Sequence, residues 1–337
     1  MPSSSSSPAR SVLMTGAGGL VGTNVLRRFA LDAGSVERIV AVDLREPRPA
    51  TRLEEVDYET ADIRDGGIET LLRRYEVDTV IHLAAVVTPG RESSREDEYS
   101  IDVLGTENVV ECSLRTGVRQ IVYTSSGAAY GYHADNPAAL AENDALRGNP
   151  EFAYSDHKRL VEEMLARYRD SHPELAQLIF RPGTILGPEV ANQITAIFER
   201  PFVIGVLGTD APFVFVWTED VAACIHKGVQ ERRSGIYNLA GDGTVGLPEI
   251  ARRLGKPYVP LPAPVLQASL YVLSKLGLSQ AKPEQVNFLR YRPVLDNTRL
   301  KSDFGFVPSY NSRECFEQYC ENRFPEHRVD STERGAT

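Results

Sequence analysis

Tyr154 and Lys158 stand four residues apart in Tyr154-Ser155-Asp156-His157-Lys158, a spacing that puts a phenol and an ammonium on one face of a helix. Together they are placed to move a proton. A free tyrosine has a pKa near about 10, so proton transfer close to neutrality needs a fall of about 3 units, roughly 4 kcal/mol. A neighbouring lysine cation acts in that direction. With 14 tyrosines and six lysines in 337 residues, about 0.25 such pairs arise by chance, and Tyr271 with Lys275 repeats the spacing. Position separates the two. Tyr154 opens a helical pattern after an apolar run that ends in Tyr123-Thr124-Ser125-Ser126-Gly127. Tyr271 lies in an amphipathic segment near the C-terminal end, where packing is the expected role. Ser126 is expected to bring a hydroxyl beside Tyr154, able to hydrogen-bond the oxygen of an alcohol or ketone. The competing reading of Ser126 is a turn-forming hydroxyl.

The element that must position this chemistry lies near the start of the chain. Thr15-Gly16-Ala17-Gly18-Gly19-Leu20-Val21-Gly22 follows the apolar run Ser11–Met14 and precedes a helical pattern. Glycines at 16, 19 and 22 allow a tight turn, close approach of a ligand to the main chain, and packing of helix on sheet. The helix then aims its unpaired N–H groups at the turn, a setting for a dinucleotide pyrophosphate. Gly16, Gly19, Leu20, Val21 and Gly22 are the expected contacts. A βα connection without a ligand is the alternative. Asp43 ends the second strand 21 residues after Gly22, where a carboxylate accepts hydrogen bonds from an adenosine ribose and repels a 2′-phosphate. NAD is therefore favoured, with NADP still open because Arg45 and Arg48 are close by. Asp62 and Ile63 follow the third strand and are placed to flank the adenine. Leu83, Ala84 and Ala85 follow the fourth, where small residues let the backbone approach the cofactor.

Strand runs at 12–14, 38–42, 56–59, 79–83, 120–124 and 176–181, with a possible seventh at 235–239, alternate with helical patterns at about 20–32, 66–75, 96–116 and 153–170. This βαβ rhythm predicts an α/β fold: a doubly wound parallel sheet (Rossmann fold) with its crevice at the carboxyl ends of the strands. Residues 10–182 form the expected dinucleotide-binding domain, completed by strands from about 213–240, and 183–325 form mainly a smaller C-terminal substrate lobe. Residues 1–9, with a serine run, and 326–337 read as disordered or frayed tails. A hydrophobic content of 42% permits a large core, and a net charge of -9 with no cluster of Lys and Arg argues against nucleic-acid binding. Four scattered cysteines suggest neither a metal site nor a disulfide framework. Neither a signal peptide nor a membrane span is apparent, so a cytoplasmic location is expected.

These motifs in this order resemble the extended short-chain dehydrogenase/reductases, the NAD-dependent epimerase/dehydratase family. The resemblance spans about residues 10–320 and includes TGAGGLVG, Asp43, Asp62-Ile63, LAA at 83–85, TSSGAAYG at 124–131, YSDHK at 154–158, RPGTILGP at 181–188 and WTEDVA at 217–222. It implies that Tyr154 is the general acid/base, that Lys158 binds the nicotinamide ribose and lowers the Tyr154 pKa, and that Ser126 polarises the substrate oxygen. It also implies that Ser125, Pro182 and Thr184 border the nicotinamide, and that the chain is a homodimer through the helices near 96–116 and 153–170. Two departures bear on substrate. Gly127 and Ala128 replace the acidic pair of dehydratases. Asp210-Ala211-Pro212 stands where sugar-nucleotide enzymes tend to place an arginine that clamps the diphosphate. Asn192, Arg200 and Arg292 are the candidate substrate contacts, and Arg290 lies near the last of them. The favoured function is nucleotide-sugar epimerisation. The alternatives are a dehydrogenase or reductase of a non-nucleotide alcohol or ketone, and a non-catalytic NAD-binding regulator.

Overall fold

The computed structural model describes residues 11–90, 93–192, 194–276 and 286–324. The tails expected at 1–9 and 326–337 lie outside them. In chain order the first half reads β1 (Ser11–Thr15), α1 (Leu20–Leu31), β2 (Arg38–Asp43), β3 (Val56–Thr60), α2 (Gly67–Arg74), β4 (Thr79–His82), α3 (Arg95–Tyr99), α4 (Thr106–Thr116), β5 (Gln120–Thr124), α5 (Ala153–Ser171) and β6 (Ala176–Pro182). The second half reads β7 (Thr184–Leu186), α6 (Thr195–Glu199), β8 (Val203–Val206), β9 (Phe215–Trp217), α7 (Thr218–Gln230), β10 (Gly235–Leu239), α8 (Leu247–Arg253), β11 (Tyr258–Leu261), α9 (Ala263–Lys275), α10 (Val286–Arg290), α11 (Thr298–Ser302) and α12 (Ser312–Arg323).

Seven strands form one parallel sheet in the order β10-β6-β5-β4-β1-β2-β3. The chain winds outward from β1 in both directions, so a crevice opens at the carboxyl ends of β1 and β4. Central strands must bury both faces, which is why they read as unbroken apolar runs. One face packs Val25, Phe29 and Ile225 from α1 and α7, joined by Leu300 and Phe304. The other packs Leu72, Val109, Val110, Val161 and Leu165 from α2, α4 and α5. A separate aromatic core of Phe198, Phe213, Phe215, Phe316 and Tyr319 holds the region after β6.

Three local expectations change. The helix expected over 96–116 is interrupted by a π turn, Ser100–Gly105, between α3 and α4. Within 213–240, β10 joins the main sheet, whereas β9 pairs with β7 in a small sheet of its own. Tyr271, expected to pack, is 55% exposed because α9 turns that face outward. The four cysteines are buried thiols. Among the described residues no helix is long and apolar enough to cross a membrane.

Candidate active site

The glycine turn is shaped by contacts that side chains would destroy. Gly16 has φ +68° and lies against the next strand's exit, so a Cβ there would come 2.6 Å from the Ala84 amide nitrogen. At Gly22 a Cβ would lie 2.5 Å from the Gly16 carbonyl oxygen, so only glycine lets α1 start this close to the turn. No side chain caps α1, leaving its first N–H groups, including those of Leu20 and Val21, directed at the turn. Asp43 closes the second side: its Oδ2 accepts the Gly18 N–H at 2.9 Å and its Oδ1 the Leu44 N–H at 2.8 Å. Arg45 and Arg48 are exposed beside it. A cradle of main-chain donors followed by a carboxylate fits the pyrophosphate and ribose of NAD. Asp62 is engaged by Arg64 at 2.6 Å, whose hydrogen bond holds its carboxyl below the usual range, while Ile63 is buried in the core.

At the same sheet edge α5 begins, with Phe152 as its N-cap. Its first turn carries half-buried Tyr154, and the next carries buried Lys158. The Lys158 ammonium donates to the Thr124 carbonyl at 2.8 Å and to the Tyr123 hydroxyl at 3.0 Å, and lies 5.9 Å from the centre of the Tyr154 ring. Burial brings Lys158 down to about 8, opposed by the Asp102 and Glu162 carboxylates. Ser126 accepts the Ala128 N–H at 3.1 Å, capping a 3-10 turn over Gly127–Tyr130. The turn-forming reading of Ser126 is thus present in the structure, and its hydroxyl acts to lower the Tyr154 pKa.

One expectation differs. Tyr154 is not lowered: burial raises it to about 12, and the Ser126 hydrogen bond only partly opposes that. The Lys158 ammonium is turned to the Tyr123 hydroxyl and the Thr124 carbonyl rather than to the phenol. The Ser125 hydroxyl is engaged inside the protein. It donates to Glu162 Oε1 at 2.5 Å, and Glu162 forms a buried ion pair with Arg181 at 2.6 Å.

Arg292 lies over Phe213, its guanidinium carbon 3.8 Å from the ring centre, and donates to Thr184 Oγ1 at 3.3 Å. Phe213 directly follows Asp210-Ala211-Pro212, so Arg292 brings a cation to the place where the sequence lacks one. Pro182 ends β6 in register with Leu239. Asn192 is less available than expected: its Oδ1 accepts the N–H groups of Ile194 and Thr195 at 2.9 and 3.0 Å, starting α6. Arg200 is exposed at the end of that helix. A half-buried aromatic shelf beside Tyr154 was not foreseen. In it Phe152 and Phe288 rings lie 4.3 Å apart, Tyr132 and Phe288 4.7 Å, and Phe152 and Tyr154 6.1 Å. Their helical or loop spacing carries no signal, because the cluster is assembled from three distant segments. Among the described residues no group of His, Cys, Asp or Glu could hold a metal ion.

The NAD dependent epimerase/dehydratase family model matches residues 12–240. An uncharacterized protein of Mycobacterium tuberculosis is 26% identical over 96% of this chain and 88% of its own length. A UDP-glucose 4-epimerase of Mycolicibacterium smegmatis is 28% identical over 88% of this chain and 93% of its own. Among solved structures, the UDP-glucose 4-epimerase of Thermotoga maritima with UDP-glucose superposes with a TM-score of 0.71 at 18% identity, covering 93% of this chain and 98% of that one.

Proposed function

We propose that this chain, which belongs to the NAD-dependent epimerase/dehydratase family, inverts a secondary carbinol of a nucleotide sugar. The observation that carries the reading is the placing of Tyr154 and Lys158 in the first turns of α5, the ammonium 5.9 Å from the centre of the Tyr154 ring, with Ser126 at the exit of β5. Likeness to a curated UDP-glucose 4-epimerase over most of both chains supports it. NAD, when bound, supplies the hydride acceptor. Gly16, Gly19 and Gly22 admit its pyrophosphate, Asp43 its ribose, and Leu83, Ala84 and Ala85 its close passage over β4. Ser126 orients the substrate oxygen. Tyr154 Oη takes the proton of the substrate hydroxyl and returns it after the ketone has turned its other face. Burial raises the Tyr154 phenol to about 12, and a positive charge beside it favours the phenolate that takes this proton. Arg292, Thr184 and the aromatic shelf then hold the remainder of the substrate. Gly127 and Ala128 offer no carboxyl to protonate a departing hydroxyl, which favours epimerisation over dehydration.

Incubation of the purified chain with UDP-glucose is expected to form the 4-epimer without net NADH. Tyr154→Phe should lower kcat by about 100-fold to 10,000-fold while NADH binding, read by fluorescence, is kept. Unchanged turnover in that variant would remove Tyr154 from the mechanism. The apolar character of the Tyr132, Phe152 and Phe288 shelf favours a second reading, net oxidation of a non-nucleotide alcohol. Steady NADH accumulation from an alcohol, with UDP-sugars left unconverted, would decide for it.

A further inference from the structure

Three aromatic rings beside Tyr154 serve no packed core. Tyr132 follows the 3-10 turn after β5, Phe152 directly precedes α5 and Phe288 lies in α10, so distant segments meet here. The Phe152 and Phe288 rings are centred 4.3 Å apart, those of Tyr132 and Phe288 4.7 Å, and those of Tyr132 and Phe152 6.0 Å. All three are half-buried, and none belongs to the apolar clusters that hold the described residues together. Folding gains most when such large rings are fully covered, so a cluster left half open at the edge of a site is a surface kept for a ligand.

The order of groups along this wall limits what can lie on it. The Phe152 ring is centred 6.1 Å from that of Tyr154, Phe288 packs on Phe152, and the Phe288 carbonyl accepts from the Arg292 guanidinium at 3.5 Å. The rings thus form a path from the phenol to the cation of the cleft. A substrate hydroxyl that reaches Tyr154 brings the rest of its own sugar ring against Phe152 and Phe288. Polar side chains next to these rings in the chain are turned into the protein: Asn149 Oδ1 accepts the Tyr132 N–H at 2.7 Å, and His133 Nε2 meets the Gly148 carbonyl at 2.8 Å. Apart from the Tyr132 hydroxyl, the three side chains offer carbon and hydrogen alone. A sugar hydroxyl laid on them would give up water without a replacement partner, whereas a methyl group is favoured there.

We propose that Tyr132, Phe152 and Phe288 select a deoxy sugar, in which the ring carbon next to the inverted carbinol carries a methyl group in place of a hydroxymethyl group. The proposal rests on Tyr154 and Ser126 receiving the hydroxyl of a nucleotide sugar. An apolar wall rejects an added hydroxyl only modestly, so the preference expected is about 10-fold to 100-fold.

The test compares UDP-6-deoxyglucose with UDP-glucose, which differ by one oxygen. With the NAD-loaded full chain, kcat/KM for the deoxy sugar is expected to exceed that for UDP-glucose by about 10-fold to 100-fold. Calorimetric titration of the Tyr154→Phe chain, which holds the sugars without turnover, is expected to show the same order in Kd. Phe288→Leu keeps the wall apolar and is expected to keep the preference, whereas Phe288→Asn supplies an amide to the hydroxyl and is expected to remove most of it. If Phe288→Asn does not fold, Phe152→Ser, which adds a capping hydroxyl to α5, takes its place with the same expectation. Equal values for the two sugars, tighter UDP-glucose, binding of neither, or a preference that survives Phe288→Asn overturns the proposal. Epimerisation of UDP-glucose without the preference would leave the epimerase reading standing. The preference in Kd without turnover of either sugar would leave the deoxy-sugar wall standing and remove the epimerase reading.

Discussion

Gly16 is constrained twice over. Its φ of +68° disfavours any L side chain, and the Ala84 backbone occupies the volume a Cβ would need. Gly16→Ala is therefore expected to cost about 1–3 kcal/mol of stability and, by displacing the turn, to weaken NADH binding at least about tenfold. Thermal unfolding and a fluorescence titration with NADH would show both effects, and a variant with wild-type NADH affinity would refute the close-approach explanation. Arg292 teaches a complementary lesson, because a cation missing from one sequence position is returned from some 80 residues away through stacking on Phe213.

At the scale of elements, α5 is held by an ion pair as well as by its apolar face. Burial works against the Arg181 charge, but the Glu162 carboxylate more than offsets it, and Arg181 also donates to the Tyr130 hydroxyl at 2.8 Å. Glu162→Gln would leave that guanidinium without its counterion, an expected loss of about 3 kcal/mol. Urea unfolding measures it, and a stability change within about 0.5 kcal/mol would show that the pair is dispensable. The strands of the sheet were legible because burial on both faces forces apolar runs of strand length, Gly16–Gly22 and Ser126 because each follows a strand end, and Tyr154 and Lys158 because their spacing sits at the start of the helix after β5. The π turn within the helix over 96–116 was not legible. Its cause is tertiary: Asp102 is drawn to Val86 and His157, contacts 16 and 55 residues away. The depressed Tyr154 likewise assumed that Lys158 faces it, which spacing on a helix permits but does not impose.

Across the whole molecule, stability should depend on pH through groups buried as neutral species. His82 is fully buried, and desolvation, aided by the Lys158 charge, takes it from 6.5 down to about 3. The unfolded chain thus binds a proton at this site between about pH 6.5 and 3 that the folded chain refuses. Its contribution is complete above pH 6.5 and is lost as pH falls toward 3, up to about 5 kcal/mol. His82→Gln is expected to flatten the dependence of unfolding free energy on pH over that window, and an equally steep dependence in the variant would assign it elsewhere. After β6 the chain leaves the sheet for β7 and α6, returns with α7 and β10, leaves again for α8 to α10, and comes back to the sheet core with Leu300 and Phe304 before α12 joins the aromatic core. A graft of the specificity-bearing part from one relative onto another would therefore need several splice points, so recombination by a single crossover would divide both halves of the binding cleft.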